Sequence, residues 1–176
     1  LYVALGAGLT ALASALLLEP RIADRLTSVW IGGPEYPDLA DPPPGGDRVE
    51  YNLSIDLAAG QAVFNHTSVP VWQVPRDVYR QCLISWAELD ARIRPLGEVG
   101  RFLAEALDHV ASLADRRGWN LGEAYALGDS PLVLLTALQS AFQPAPSSSK
   151  YVTRPMRTLS SEGQYIETPP GRPVRV

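Results

Sequence analysis

The decisive stretch of this 176-residue chain is Glu50–Ala59, which reads Glu-Tyr-Asn-Leu-Ser-Ile-Asp-Leu-Ala-Ala. It places polar side chains at positions 50, 52 and 56, where a strand-like approach turns into an apolar helix. Side chains two apart in an extended segment point to the same side, so we expect Glu50 and Asn52 to converge on one small polar ligand. The plainer alternative is a helix start alone, and Asp56 fits that alternative best, as the cap in front of Leu57.

Strand-like and helix-like runs alternate on both sides of this stretch. The strand-like runs are Tyr2–Leu5, Ser28–Ile31 and Val69–Val74, and the helix-like runs are Leu9–Leu18 and Asp56–Phe64. The strand-like runs are almost continuously apolar, which is typical of parallel strands buried on both faces. The pattern therefore predicts an α/β fold, with a mostly parallel sheet flanked by helices.

The remaining segments add helices, a long loop and a small β-rich C-terminal segment. Gly32–Val49 is rich in proline and glycine, and loops of that length are often functional. Further helices are predicted at Pro20–Leu26, Ser85–Arg94, Glu98–Arg117 and Ser130–Phe142, then a linker at Gln143–Ser149, then short β segments at Tyr151–Met156, Gln164–Glu167 and Pro173–Val176. We interpret residues 1–176 as a single domain.

Composition and charge exclude several classes of partner. The net charge is −4 and no basic run is present, which argues against nucleic acid. The single cysteine, Cys82, cannot form an internal disulfide, which fits a reducing compartment. Residues 1–18 are uncharged, but Gly6–Gly8 interrupt them, so a buried strand and helix fit better than a signal sequence or membrane span. We expect a cytoplasmic protein without a membrane partner.

Five short motifs occur in a fixed order along the chain. They are Gly8-Leu9-Thr10, Glu19-Pro20-Arg21-Ile22, Gly32-Gly33, Glu50-Tyr51-Asn52 with Asp56 and Ala58-Ala59, and Gly128-Asp129-Ser130-Pro131. In this order and spacing they resemble the C-terminal part of the inosine-uridine preferring nucleoside hydrolases. The resemblance runs from about Gly8 to Asp129, and we expect it to continue to the end of the chain. It implies hydrolysis of the N-glycosidic bond of ribonucleosides, a calcium ion as cofactor, a ribonucleoside as substrate, and a place in purine or pyrimidine metabolism. The sequence leaves open whether the protein forms a homo-oligomer.

The same resemblance implies a metal site and a ribose site. Gly6 would give calcium a backbone carbonyl and Asp129 a late carboxylate, which suits an ion that prefers oxygen ligands. Glu50 and Asn52 match two contacts to ribose hydroxyls, and clamping those hydroxyls orients the sugar for an oxocarbenium-like transition state. The alternatives are a tight turn at Gly6 and a helix N-cap at Asp129 or Ser130.

A complete metal site in this family also uses an opening D-x-D-x-G-x-D-D segment, which the sequence does not contain. The resemblance places the water-activating aspartate there, so no general base is named in this chain. We expect a domain incomplete at its N-terminus, from a longer protein or a truncated relative, and we expect the isolated chain to be inactive.

Several positions depart from the family pattern. Gly128 stands where purine-preferring members have the histidine that protonates the leaving base, Ala11 replaces an Asn, and Ile31 replaces a Met. The loop after Gly33 holds no Asn, and Asp47 is only a weak substitute.

Four aromatic residues can stack on a base or donate a proton, or can be plain core or rim residues: Tyr79, Tyr125, Trp119 and Trp72. His66 and His109 are interpreted as structural.

The departures at Gly128, Ala11 and Ile31 keep a rival interpretation open, namely a non-catalytic relative that binds a ribosyl ligand or serves as an assembly subunit.

Overall fold

A computed structural model describes residues 1–45, 49–136, 151–166 and 171–176. The strands are β1 (Tyr2–Leu5), β2 (Thr27–Ile31), β3 (Val71–Val74), β4 (Leu83–Ser85), β5 (Ala124–Ala126), β6 (Thr153–Pro155), β7 (Thr158–Leu159), β8 (Tyr165–Ile166) and β9 (Pro173–Arg175). The helices are α1 (Thr10–Leu18), α2 (Tyr51–Ile55), α3 (Leu57–His66), α4 (Arg76–Tyr79), α5 (Trp86–Glu88), α6 (Gly97–Arg116) and α7 (Ser130–Thr136). A 3-10 helix covers Pro20–Arg25, and a π-helical turn covers Leu89–Ile93.

The chain divides into two compact units. The first comprises Leu1–Tyr79 with Gly128–Val176, and the second comprises Arg80–Leu127. This division into compact units does not test whether the chain is a single domain, so that statement stays a prediction.

The first unit is built on a five-stranded sheet in the order β1-β2-β3-β9-β6. Strands β1, β2 and β3 run parallel, with Ala4 opposite Val29 and Val29 opposite Trp72. Strand β9 continues parallel to β3, and β6 closes the sheet antiparallel. The predicted α/β fold with a mostly parallel sheet is confirmed. Strands β6 to β9 form the predicted β-rich C-terminal segment.

The core of the first unit lies under α1 and α3. Both helices pack on the sheet through a shared cluster whose largest members include Leu9, Leu16, Trp30, Leu53 and Phe64. Helix α1 is made of strong helix formers and ends just before Pro20, which cannot continue it. Helix α3 begins at Leu57 after its N-cap Asp56, whose carboxylate accepts a hydrogen bond from the Ala59 amide at 2.9 Å, so the predicted cap at Asp56 is confirmed.

The second unit combines a two-stranded antiparallel sheet, β4 with β5, and the long helix α6. Helix α5 of this unit is capped by the Ser85 hydroxyl, which accepts a hydrogen bond from the Glu88 amide at 3.1 Å. Helix α6 was predicted at Glu98–Arg117 and is found one residue earlier. No helix of the described residues is long and apolar enough to cross a membrane.

The structure corrects one sequence prediction and describes only part of another. Residues 50–55 are not an extended segment, because α2 begins at Tyr51 and Glu50 is its N-cap. The extended geometry assumed for Glu50 and Asn52 is therefore wrong. In the predicted helix Ser130–Phe142, the part after Thr136 lies outside the described residues, as do the linker Gln143–Ser149 and Asp47.

Candidate functional site

The candidate site lies at the carboxyl ends of β1, β2 and β3, where open α/β sheets bind ligands. Because the three strands are parallel neighbours, the segments that follow them emerge at one edge. These segments are Gly6–Gly8, Gly32–Tyr36 and Pro75–Tyr79. The stretch Glu50–Asn52 is attached to the same edge by hydrogen bonds to Ile31 and Gly33.

The Glu50 side chain is fully buried, and its carboxylate accepts four hydrogen bonds. Oε2 accepts the amides of Gly33 at 2.8 Å and Leu53 at 3.0 Å. Oε1 accepts the amide of Asn52 at 3.1 Å and the hydroxyl of Tyr79 at 2.8 Å. A carboxylate offers about four acceptor positions, so all of them are occupied. Glu50 thus caps α2 and ties that helix to the end of β2.

This contact depends on the glycine pair after β2. Gly33 has φ +87°, a conformation that side-chain-bearing residues rarely adopt. A Cβ at Gly33 would also collide with Nε2 of Gln73, which donates to the Gly32 carbonyl at 2.8 Å. Glycine at position 33 therefore lets the backbone turn its amide onto Glu50 in a closely packed corner.

Asn52 lies at the same corner but keeps hydrogen-bonding capacity. Its side chain is buried, and Nδ2 donates to the carbonyl of Ile31 at 2.9 Å. Among the described residues, no hydrogen bond uses its Oδ1. Asn52 can therefore accept a hydrogen bond from a ligand hydroxyl without giving up its contact with β2.

Tyr79 links the Glu50 corner to the segment that carries Asp129. Burial and the neighbouring Glu50 charge raise its pKa well above the usual range, so it stays protonated and donates to Glu50. A Cβ on Gly128 would lie 3.6 Å from Cδ2 of Tyr79. Gly128, where the resemblance implies a histidine in purine-preferring members, is thus adjacent to this ring.

A buried ion pair next to these residues was missed by the sequence analysis. Nε and Nη2 of Arg76 donate to Oε1 and Oε2 of Glu35 at 2.6 and 2.7 Å. The two residues follow β3 and β2, so the pair joins the two loops. The contact spans 41 positions, and no local pattern reports such a pairing. Removing one partner of a buried pair typically leaves an uncompensated charge.

The Asp129 carboxylate differs from that of Glu50 in its exposure and in its hydrogen bonding. Asp129 is exposed, and its carboxylate makes no hydrogen bond with another described residue, although its backbone carbonyl accepts the amide of Leu132 at 3.1 Å. A Cβ on Gly6 would lie 3.2 Å from its Oδ1, so the carboxylate faces the end of β1. Neighbouring atoms partly desolvate its carboxylate, which raises the pKa above the usual value of an aspartate. Among the described residues, the Asp129 side chain accepts no amide of α7, and a cap at Ser130 stays a prediction.

The four predicted residues therefore form two pairs at one sheet edge. Glu50 and Asn52 are anchored at the end of β2, and Gly6 and Asp129 lie at the end of its neighbour β1. In the described part of the chain, no group of three or more His, Cys, Asp or Glu residues is placed to hold a metal ion. One carboxylate and one carbonyl are too few for calcium, which takes six to eight oxygens.

The other aromatic candidates have structural contacts. Trp72 packs on Tyr2 with ring centroids 5.0 Å apart, and the Arg175 guanidinium lies 4.7 Å from its ring. In the second unit, Tyr125 packs on Trp86 and Trp119 lies under Arg117. Of the four, Tyr79 alone contacts residues of the candidate site within the first unit.

With this geometry in view, the chain is an α/β protein with a polar site at the carboxyl edge of its sheet. The family model described as inosine-uridine preferring nucleoside hydrolase matches residues 1–165. The chain belongs to this nucleoside hydrolase family.

Individual relatives agree with that assignment. An inosine-uridine preferring nucleoside hydrolase from Leishmania major is 32% identical over 120 residues, which is 67% of this chain and 36% of the relative. The crystal structure of an inosine-uridine preferring nucleoside hydrolase from Bacillus anthracis has a TM-score of 0.69 at 19% identity, and the match covers 99% of this chain and 53% of that one. The second similarity concerns the fold. The chain thus spans about half or less of the length of these relatives.

Proposed function

We propose that this chain carries the ribose-holding part of a calcium-dependent ribonucleoside hydrolase, as part of a longer or complemented protein. The reaction would convert a nucleoside and water into ribose and a free base. The observation that carries this proposal is the Asp129 carboxylate, exposed and without a described partner, facing Gly6 at the edge where Glu50 and Asn52 are anchored.

The chain's own residues would supply only part of the calcium shell. Asp129 would give a carboxylate and Gly6 a carbonyl, and the remaining oxygens would come from elsewhere. Calcium, when bound, would hold ribose hydroxyls and polarise the attacking water. The described residues alone do not complete a calcium site.

The sheet offers a place for the missing carboxylates. Strand β1 is at one end of the five-stranded sheet and pairs only with β2 among the described residues. A further strand added parallel to β1 would end next to Gly6 and Asp129. Carboxylates at the end of such a strand would meet Asp129, whether the strand belongs to a longer form of this protein or to another chain.

The Glu50 corner would hold the sugar. Asn52 Oδ1 would accept a ribose hydroxyl, and the buried charge of Glu50 would favour positive charge developing on the ribose ring. Glu50 can itself accept a hydroxyl only if one of its four donors leaves. Tyr79 is the donor that can move most easily, because the other three are backbone amides.

A non-catalytic role is favoured by a different observation. The acceptor positions of Glu50 are filled by the protein itself, and the described residues include no complete metal cluster. A relative that binds a ribosyl ligand or assembles with another subunit would need neither a free Glu50 nor calcium.

A ribose-release assay separates the two functions. The purified 176-residue chain, with calcium and inosine or uridine, should show no turnover. A version extended before Leu1 by a nucleoside hydrolase segment containing D-x-D-x-G-x-D-D should release ribose, and chelation of calcium should stop it. Turnover by the chain alone above a metal-free control would contradict the proposal, and an inactive extended protein that still binds ribose would favour the non-catalytic role.

Calcium and ribose titrations of that extended protein test the division of roles. Asp129→Ala should abolish calcium binding, because a hard dication loses a charged ligand. Asn52→Ala should leave calcium affinity unchanged and weaken ribose binding about threefold to tenfold, because it removes one neutral hydrogen bond worth about 1 kcal/mol. Equal loss of calcium affinity in both folded variants would refute the assignment.

A further inference from the structure

A second cleft lies at the opposite end of β3 from the candidate site. It has a volume of about 500 Å³ and is bounded by the C-terminal end of α3, the Met156–Thr158 segment and Arg172. Its floor is apolar, formed by Phe64 and Met156, and its rim carries hydroxyl and amide groups. Nothing in the proposed hydrolase function uses this cleft.

The cleft is positively charged within an acidic protein. Arg157 and Arg172 both line it, and no acidic residue is among its described lining residues. Asp38 is the carboxylate whose charge reaches Arg157, but it is already paired with Arg154 at 2.6 Å. A half-buried guanidinium such as that of Arg172, without a carboxylate in contact, is costly unless an anion compensates it.

Arg172 is held rigidly and still has free donors. Its Nε donates to the Val69 carbonyl at 3.0 Å, Nη1 to the Phe64 carbonyl at 3.2 Å and Nη2 to the Val63 carbonyl at 3.1 Å. A guanidinium has five N–H groups, so one on Nη1 and one on Nη2 remain without a partner among the described residues. The three carbonyls include the C-terminal end of α3, so the arginine also offsets the negative end of that helix dipole.

Desolvation lowers the Arg172 pKa, as expected for a cation without a carboxylate partner. A bound anion would reverse that cost. Pairs of free guanidinium N–H groups match phosphate oxygens in geometry and charge better than they match a neutral ligand.

We propose that the cleft between the end of α3 and the Met156–Thr158 segment binds a phosphate group through Arg157 and Arg172, either as free phosphate or as the phosphate of a small ester. The apolar floor beside the two cations favours an ester that carries an apolar part. Such a ligand would act away from the hydrolase site, because the length of β3 separates the two.

Calorimetric titration at constant ionic strength tests this proposal on the 176-residue chain. The probes are inorganic phosphate and phenyl phosphate, with uncharged phenol as the control ligand. Both phosphates should bind saturably, and phenol should not. Tighter binding of phenyl phosphate identifies an ester as the ligand, and equal binding identifies free phosphate. Absence of saturable phosphate binding would overturn the proposal.

Two matched variants locate the binding. Arg157→Gln should weaken phosphate binding at least tenfold, whereas Arg101→Gln, which removes the same charge from exposed helix α6, should change it less than twofold. Equal affinities in these variants would refute the site. Arg172→Met should also lose binding where circular dichroism shows a native fold. If Arg172→Met does not fold, the comparison of Arg157→Gln with Arg101→Gln decides alone whether the cleft binds phosphate.

Discussion

Two corners of one sheet edge differ in how far the protein satisfies its own polar groups. At the end of β2, Glu50 is buried and accepts four hydrogen bonds from its own chain. At the end of β1, Asp129 is exposed, and its carboxylate has no hydrogen-bond partner among the described residues. The Glu50 corner is preorganised by folding, whereas the Asp129 corner keeps a carboxylate available for something outside the described residues. The same residue chemistry therefore stabilises the fold in one place and offers a ligand in the other.

The largest effect expected from this contrast is that of Glu50→Ala. It would leave three buried amides and the Tyr79 hydroxyl without an acceptor, at a cost of about 3 kcal/mol or more in the free energy of unfolding. Denaturant unfolding measures this loss. Asp129→Ala is the matched carboxylate deletion and should cost less than about 0.5 kcal/mol. Similar losses in the two variants would remove the distinction between the corners.

Gly33→Ala tests whether the β2 corner is closely packed. It should destabilise the protein by about 2 kcal/mol more than Gly45→Ala, because both positions have positive φ but only Gly33 faces atoms that a Cβ would meet. Thermal unfolding of both variants supplies the difference. Equal losses of stability in the two variants would mean that the positive φ alone makes glycine necessary at position 33, and that contact with Gln73 contributes nothing.

Tyr79→Phe probes the one side-chain donor of the Glu50 corner. It removes a 2.8 Å hydrogen bond and should cost about 1 kcal/mol. In the extended protein it should also free an acceptor position on Glu50, so ribose affinity should hold or rise. A fall in ribose affinity with native stability would show instead that the hydroxyl itself contacts the sugar.

The smallest expected effect is a pH dependence of opposite sign at two aspartates. The folded-state pKa of Asp129 is raised by burial, so its contribution to stability declines as pH rises from its unfolded value of 3.8. Asp129→Asn should therefore gain stability relative to the wild type between about pH 3 and pH 6.

Asp56 supplies the matched control. The Thr10 hydroxyl and the Ala59 amide lower its pKa, so its stabilisation is present above the unfolded pKa and is lost as pH falls. Asp56→Asn should therefore lose stability relative to the wild type as pH rises over the acid range. Parallel pH profiles for the two variants would contradict both assignments.

The sequence was most informative where local chemistry determines the structure. Continuous apolar runs predicted β1, β2 and β3, and Asp56 before Leu57 predicted the start of α3. Helix α2 could not be predicted, because residues 51–55 show no helical stripe. It is held by Glu50, whose side chain also needs Gly33 from 17 positions earlier.

The candidate site was predicted as residues but not as contacts. Family resemblance indicated Glu50, Asn52, Gly6 and Asp129, whose ribose and calcium roles stay predictions. The Glu35–Arg76 pair and the Tyr79 hydroxyl bond join segments far apart in sequence. Only the parallel register of the sheet brings these segments together, so no local pattern reports them.

The side of β1 that no described strand covers also has a consequence for handling the isolated chain. Its four residues carry neither charge nor proline, and the Tyr2 side chain is half exposed. Leu1, Leu17 and Leu18 are more exposed still. Uncovered apolar edge strands are templates for pairing between copies, because nothing on them repels a second strand. Concentrated samples of this chain should therefore associate edge to edge, and Ala4→Lys should raise the concentration at which turbidity begins.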